Sequence, residues 1–389
     1  MQGLYWAAYT VLFGFFVPLL KDWGYSNFMI GITMTIVSLT RMIAQPLWGM
    51  YCDRKGRVRE IFVILMASSG VIALFLPLGA GSFAVSFIIV FLLSVTMQSM
   101  YPLIDAWSIG LNNDGHNIDF SITRSFGSLT YAIFAAGFGW ILDRFGAYTR
   151  IPAYLVLTAF LILIALTVKS PSAGDTCETH GSAREGVIRT LSRNRGYTVF
   201  IVANMLMYLI YGALNSFLPV HIQDLGGTNI HLGLCFTIMG ICQVIGMIIF
   251  SILRRKIYIS LHKTLIVSMF LFVFKGFLVA ISRSLEIVLI LQVIDLVSYG
   301  MYFPSAISYI NEKVGSGSLM TAQTIFSAST YGMGAMAGSF AGGVISGHTS
   351  ISVMLVMISI ASFAGVILFA FGDSLSLINK KGPSPNANR

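Results

Sequence analysis

Twelve runs of mainly apolar residues, each close to 20 residues long, dominate this chain. A run of that length is what a helix needs to cross the hydrocarbon core of a bilayer. The runs fall near 4–20, 28–51, 61–79, 82–109, 122–142 and 151–169. After a polar stretch they resume near 197–221, 230–253, 263–282, 286–310, 319–345 and 350–372. In lipid a backbone must satisfy its own hydrogen bonds, so these runs have to be helical. The expected fold is an all-α membrane protein with twelve transmembrane helices in two six-helix halves. The halves are 1–169 and 197–373, joined by a cytoplasmic linker at 170–196 and followed by a disordered tail at 374–389. Composition points the same way. Only 10% of the 389 residues are charged, against about 25% in soluble domains, and the mean hydropathy is +0.82. So few charges cannot cover a water-soluble globule of this size. The 38 Gly and 29 Phe suit helices that pack closely and face lipid.

A net charge of +9 raises the question of nucleic acid, and its distribution answers it. Cytoplasmic loops retain Lys and Arg. With the N-terminus, linker and tail inside, 17 of the 24 basic residues lie in inner segments, at 54–59, 169–195, 254–263, 313 and the tail. Only Lys21, Arg144, Arg150 and Arg283 lie outside. This bias requires an even number of spans and places both termini in the cytoplasm. Topology and lipid contact account for the basic excess, so no nucleic-acid partner is expected. The opening Met1-Gln2-Gly3-Leu4 lacks the basic region of a secretory signal, so the first run is expected to stay in the mature protein. Cys52, Cys177, Cys235 and Cys242 have no paired or metal-ligand spacing, and read as buried free thiols. There is no G-x-x-x-x-G-K-[ST] for an ATP-driven pump and no nucleophile–base set in a loop. No enzyme, metal or bound cofactor is expected.

A weak repeat relates the halves. Thr130-Tyr131 with Gly137 and Gly139 in the fifth run recurs as Thr330-Tyr331 with Gly334, Gly338 and Gly342 in the eleventh. Membrane carriers built from repeats around a midplane site have this pattern.

Most charges fall in loops or at run ends, and five do not: Arg41, Asp105, Arg124, Lys275 and Asp295. Each costs about 2.5–3.5 kcal/mol at a helix centre, so together they oppose insertion by roughly 12–17 kcal/mol unless paired or set in a wet cavity. Asp105 and Arg124 stand 19 residues apart on consecutive runs; Lys275 and Asp295 stand 20 apart. Both spacings predict pairs at comparable depth. A planar guanidinium beside a carboxylate suits a polyol or another carboxylate, so Asp105 and Arg124 are expected to bind solute. Burial disfavours a carboxylate's charge and a nearby ammonium restores it. A Lys275–Asp295 pair that tightens and loosens with access is therefore the candidate for proton coupling, with Asp295 the first choice as carrier. Arg41 has three readings: snorkelling to the inner face, bonding to carbonyls, or facing a cavity. Gln98, Asn215, Gln243, Gln292, Tyr9, Tyr208, Tyr211, Tyr299 and Tyr331 are weaker polar candidates, as are Trp107 and Tyr131 near the charged sites.

The loop after the second run reads Gly49-Met-Tyr-Cys-Asp53-Arg54-Lys-Gly56-Arg57-Val-Arg59. It resembles the G-x-x-x-D-R-x-G-R-R signature of the major facilitator superfamily, with Val58 in place of a second basic residue. The resemblance implies a gating role for Gly49, Asp53, Arg54, Gly56 and Arg57, with Gly49 permitting close helix approach. Gln45-Pro-Leu-Trp-Gly and Arg124-Ser-Phe-Gly127-Ser-Leu-Thr-Tyr131 are similar to the oligosaccharide–proton symporter (lactose permease-like) group. There a fourth-helix acid and a fifth-helix arginine form the sugar site, and Asp105 and Arg124 fall at the matching places. Lys275 and Asp295 match a ninth-helix arginine and a tenth-helix histidine, Ser298 stands where the group has its proton-carrying glutamate, and Gln243 or an apolar neighbour replaces an eighth-helix acid.

The resemblance implies a monomeric secondary transporter in the bacterial cytoplasmic membrane, driven by the proton gradient. Its expected cargo is a sugar or related small polar solute, taken up with protons. The alternatives are a nucleoside or aromatic-acid importer, a drug exporter, and a non-transporting ligand sensor on the same fold. The fifth run lacks the Gly-Pro-x-x-Gly-Gly of proton-antiporting exporters, which favours uptake.

Overall fold

The computed structural model describes residues 1–55, 57–98, 100–111, 120–168, 194–257, 259–314 and 319–378; the side chains of 53–55, 106, 109–110, 120–125, 319–321 and 373–378 are outside that description. Among the described residues, twelve helical spans follow one another: α1 (Gln2–Asp22), α2 (Asn27–Lys55), α3 (Val58–Leu74), α4 (83–111), α5 (Phe120–Phe145) and α6 (Arg150–Thr167), then α7 (Arg195–Asp224), α8 (Asn229–Lys256), α9 (Leu261–Ile281), α10 (Leu285–Lys313), α11 (319–348) and α12 (Ile351–Ile378). Ten of them are long and apolar enough to cross a membrane. The other two are α3, which has only 17 residues, and α11, which is rich in Gly, Ala and Ser. Segments 169–193 and 379–389, which hold most of the expected linker and tail, lie outside the described residues. The helix α12 continues to Ile378, so residues 374–378, expected to be disordered, are helical.

Proline accompanies three of the irregularities, while the π turn Ala328–Gly334 of α11 has no proline near it. The proline ring removes one N–H and crowds the carbonyl four residues earlier. In α1 a wide π turn spans Thr10–Gly14, and Pro18 stands four residues beyond Gly14. In α4 the same turn spans Ser94–Gln98, and Pro102 stands four beyond Gln98. The helix α10, expected as an unbroken run, interrupts at Tyr299–Met301, with Gly300 four before Pro304. Each interruption ends on or beside the carbonyl that a proline leaves unbonded. Helices are thus opened near mid-bundle, where turns of this kind expose backbone and re-aim side chains.

These prolines belong to a longer repeat. Pro18, Asp22, Gly24, Asn27, Gly31 and Pro102 recur as Pro219, Asp224, Gly226, Asn229, Gly233 and Pro304, each 201 or 202 positions on. The local geometry repeats as well. Gly24 and Gly226 both have φ 80°, the left-handed region open to glycine. Gly24 N–H bonds to the Lys21 carbonyl and Tyr25 N–H to Leu20, while Gly226 N–H bonds to Gln223 and Gly227 N–H to Ile222. Both are Schellman ends, and each aims the next helix back across the bundle.

The first six and last six spans meet along two seams, α2 against α11 and α5 against α8. The seams are tight at the end that carries the Gly24 and Gly226 turns. A Cβ at Gly31 would stand 2.4 Å from the Gly343 Cα, and one at Gly233 would stand 2.2 Å from the Ala135 carbonyl oxygen. Further along α8 the corresponding figure at Gly240 is 3.2 Å, to the Ala132 Cβ. Gly49 lies eighteen residues, five helical turns, beyond Gly31 and so on the same face, yet a Cβ there meets nothing within 4 Å. Among the described residues the halves meet closely at the Gly24 and Gly226 end and not at Gly49, so the bundle is closed at the first end and splayed at the second. Among the described residues, Gly49 makes no close helix approach in this state.

Side chains latch the closed end. Asn27 Nδ2 donates to the Ser346 carbonyl at 3.2 Å. In the other seam, the Asp143 carboxylate accepts from Asn229 N–H at 3.0 Å, Ile230 N–H at 2.9 Å and Asn229 Nδ2 at 2.8 Å. One span thereby caps another's first turn across the seam. Losing a helix cap costs about 1 kcal/mol. Asp143→Ala is therefore expected to weaken the closed end about fivefold, read as a broadened distance between spin labels at positions 148 and 348. An unchanged distribution would remove Asp143 from the latch.

Candidate functional site

Arg41 is the middle residue of α2, fourteen residues from Asn27 and from Lys55, which is about 21 Å of helix in each direction. A guanidinium there cannot snorkel to either surface. It donates from Nη2 to Gln98 Oε1 at 2.9 Å and to the Tyr9 hydroxyl at 3.4 Å. Gln98 closes the π turn of α4 and Tyr9 precedes that of α1, so the proline-driven turns bring both partners to Arg41. Gln45, one helical turn beyond Arg41, donates to the Gln98 carbonyl at 2.8 Å.

Arg41 lines a cavity at the junction of the two sets of spans. Tyr9, Tyr131 and Ser38 face it from the first set; Tyr211, Asn215, Phe236, Tyr331 and Ser339 face it from the second. Its free volume is about 50 Å³, room for a few waters. Ordinary solute sites enclose several hundred Å³, so a cargo must spread this wall. Six of its lining residues are aromatic. Tyr131 stands edge-on to Trp6 at 6.1 Å and tilted to Phe236 at 6.0 Å, and Tyr211 is edge-on to Tyr331 at 5.7 Å. Among its described residues the wall has one charged group, Arg41, and no carboxylate.

The second charged cluster lies behind that wall. Lys275 Nζ is 2.8 Å from Asp295 Oδ1 and 3.2 Å from Gln292 Oε1, and Ser298 Oγ donates to Asp295 Oδ1 at 2.9 Å. Lys275 is 3% exposed and Asp295 1%, and neither is among the residues that line the cavity. Their link to it is aromatic. Tyr211 stacks on Phe272 at 6.1 Å and on Tyr299 at 6.5 Å, and the Tyr299 and Tyr331 hydroxyls are hydrogen bonded. The pair sits where α10 is broken, and Gly246 and Gly300 let α8 close onto that break: a Cβ at Gly246 would lie 1.9 Å from the Leu296 carbonyl oxygen.

The first-half candidates are distributed differently from expectation. Asp105 is half-buried and accepts from Gln2 Nε2. Gln2 opens α1, so Asp105 lies toward the splayed end rather than at mid-depth. The Arg124 side chain is outside the described residues, as are those of Asp53 and Arg54, and Gly56 itself; Arg57 is exposed before the first turn of α3. Trp107 is 1% exposed and packs edge-on to Phe62 at 5.9 Å. It is core, not cavity, which corrects its assignment to the solute site. Gln243 is half-buried with its backbone carbonyl against Gly300, and is absent from the cavity wall. Tyr131 does line the cavity. The residue that sequence reasoning undervalued is Arg41, and its signal was position: it stands near the centre of its apolar run. Cys52, Cys235 and Cys242 are buried and form no disulfide among the described residues.

Comparison with known proteins agrees with this architecture. The model described as "MFS_1 like family" matches residues 3–357. The chain is 24% identical over 383 residues to the uncharacterized transporter YwbF of Bacillus subtilis (strain 168), covering 97% of this chain and 92% of that one. It is 26% identical over 364 residues to the maltose permease of Geobacillus stearothermophilus, covering 92% and 90%. The crystal structure of the nucleoside transporter NupG superposes with a TM-score of 0.78 at 15% identity, over 98% of this chain and 97% of that one. The twelve-span bundle with its mid-depth cavity, the family match and the full-length relatives agree: this chain belongs to the MFS_1-like family, and is a transporter of the major facilitator superfamily rather than an enzyme.

Proposed function

We propose that the protein takes up a small polar solute with a proton by alternating access between the halves 1–169 and 197–373, and that the solute binds in the Arg41 cavity. One observation carries the reading: the charged, tyrosine-lined cavity is built from both halves at the level where their seams change from tight to splayed. A solute held there is exposed to whichever end is open. With the basic loops in the cytoplasm, the splayed end is cytoplasmic and the structure represents an inward-open state. The names of the relatives, a maltose permease and a nucleoside transporter, favour a small polar cargo. The Lys275–Asp295 pair is the proton-coupling element. It does not line the cavity, so the tyrosine wall carries the signal between solute and pair. Asp105 and Arg124 act nearer the cytoplasmic mouth, where a solute leaves. No bound cofactor takes part.

Counterflow in proteoliposomes tests the reading. Substrate addition is expected to alkalinise the external medium, and Arg41→Gln to lower exchange at least a hundredfold while the protein stays monodisperse. Exchange at wild-type rate in Arg41→Gln would remove the cavity from the transport path. Accumulation indifferent to a collapsed pH gradient would remove the proton. A ligand bound in detergent but never exchanged would identify a sensor.

A further inference from the structure

The intramembrane charges are three cations, Arg41, Arg124 and Lys275, against two anions, Asp105 and Asp295. The structure shows where part of that imbalance resides. Asp295 is consumed by Lys275 at 2.8 Å in a buried pair. Asp105 is held toward the splayed end by Gln2. Arg41 is left with neutral partners, Gln98 and Tyr9, and both of those hydrogen bonds use Nη2. Its Nε and Nη1 carry donors that neither of those bonds uses, and a carboxylate oxygen can accept from them in a charge-assisted hydrogen bond. A second buried donor stands beside it: Gln98 is 3% exposed, and its Nε2 has no acceptor. The wall around Arg41 supplies rings and hydroxyls but no carboxylate among its described residues.

We propose that the transported solute is a monoanion, its carboxylate held by Arg41 and its body held between Tyr131, Phe236, Tyr211 and Tyr331. The proposal rests on the reading of this cavity as the transport site. A neutral polyol can accept hydrogen bonds from Arg41 but leaves its charge uncompensated. That matters most when the halves close over the site. Closure expels the water that solvates the guanidinium, and a bare cation at bilayer mid-depth is penalised. An anionic cargo cancels the charge at that moment. The loaded carrier then closes more readily than the empty one, because a ligand shifts a conformational equilibrium by its differential affinity for the two states. Arg41 thus selects the cargo and gates on its presence.

Matched acid and amide probes test this on the purified full-length protein: benzoate with benzamide, 4-hydroxyphenylacetate with its amide, and gluconate with glucitol. Dissociation constants are measured for wild type, Arg41→Gln, Arg41→Lys and Asn215→Trp. Hydrogen bonds to charged groups are worth about 1.5–3 kcal/mol, so an acid should bind roughly 10- to 100-fold tighter than its neutral partner. Arg41→Gln should erase that preference, and Arg41→Lys, which keeps the charge, should retain part of it. Asn215 is exposed on the cavity wall, so Asn215→Trp should obstruct the cavity and abolish binding. Acid and neutral partner bound within twofold, a preference that survives Arg41→Gln, or no acid bound by folded wild type would each overturn the proposal. The two readings fail differently. A neutral probe that binds and is blocked by Asn215→Trp sinks the anion but keeps the site; binding that survives Asn215→Trp sinks both.

Discussion

Lys275→Met is expected to destabilise the protein by about 3–5 kcal/mol, because it strands Asp295 in a site with almost no access to water. The carboxylate would keep Ser298 Oγ at 2.9 Å as a donor and lose the ammonium at 2.8 Å. The Gln292 Oε1 now facing Lys275 Nζ at 3.2 Å would also lose its donor. Thermal denaturation in detergent reads the loss. The informative comparison is the double variant Lys275→Met with Asp295→Asn. Removing both charges abolishes the stranded ion, and replacement of a buried pair by neutral groups is often close to thermally neutral. The double variant should therefore recover most of the stability while losing proton-driven accumulation, and solute exchange down a gradient should persist. If it accumulates solute against a gradient like wild type, the pair is a structural bond and the coupling proton travels elsewhere. If Lys275→Met is as stable as wild type, the pair is wetter than its burial implies.

Gly31→Val should nearly abolish transport although Gly31 itself does not line the cavity. A Cβ at Gly31 would meet the Gly343 Cα at 2.4 Å, its nitrogen at 2.9 Å and the Ser339 carbonyl oxygen at 3.0 Å. All three are backbone atoms, so no rotamer change relieves the overlap and the two helices must separate. The closed end could then not form as seen here, and the carrier would be held open at that end. Counterflow is expected to fall to background, while a cysteine pair at positions 27 and 346, joined here by a hydrogen bond at 3.2 Å, should no longer cross-link. Gly137→Ala is the matched control. It also lies in a seam-forming helix, but nothing stands within 4 Å of its added Cβ, and alanine favours helix by about 1 kcal/mol over glycine. Full transport by Gly31→Val would show that α2 and α11 need not approach this closely during the cycle.

Much of the architecture was legible in the residues, because lipid leaves a chain few options. Each long apolar run became one helix, with ends within a few residues of expectation. The Lys275–Asp295 contact followed from spacing alone, since two antiparallel helices joined by a short turn place residues twenty apart at similar depth. The repeat was also present but only partly read. The Thr-Tyr match was visible, while the paired prolines and Asp-x-Gly turns, 201 or 202 positions apart, become meaningful once their shared geometry is known. The same spacing argument says less about Asp105. It fixes depth relative to a neighbour, not relative to the bilayer centre, and both Asp105 and Arg124 sit near the ends of their helices. Trp107 was misassigned because proximity along a helix does not say which face a ring occupies; 100° per residue turned it toward Phe62 and away from the cavity.

What the sequence alone determined was the number of spans, their order and the net excess of one cation over the acids buried among them. These follow from local composition, since insertion depends on each segment's own apolarity and charge. Which cation would remain without a carboxylate was decided only by tertiary structure. Arg41, Arg124 and Lys275 are equivalent entries in a charge count, and only packing shows that Lys275 is claimed by Asp295 while Arg41 faces a shared cavity. The reason is physical: pairing in a low-dielectric interior depends on distances of a few ångströms between helices far apart in the chain, and the proline-opened turns that set those distances act through three dimensions.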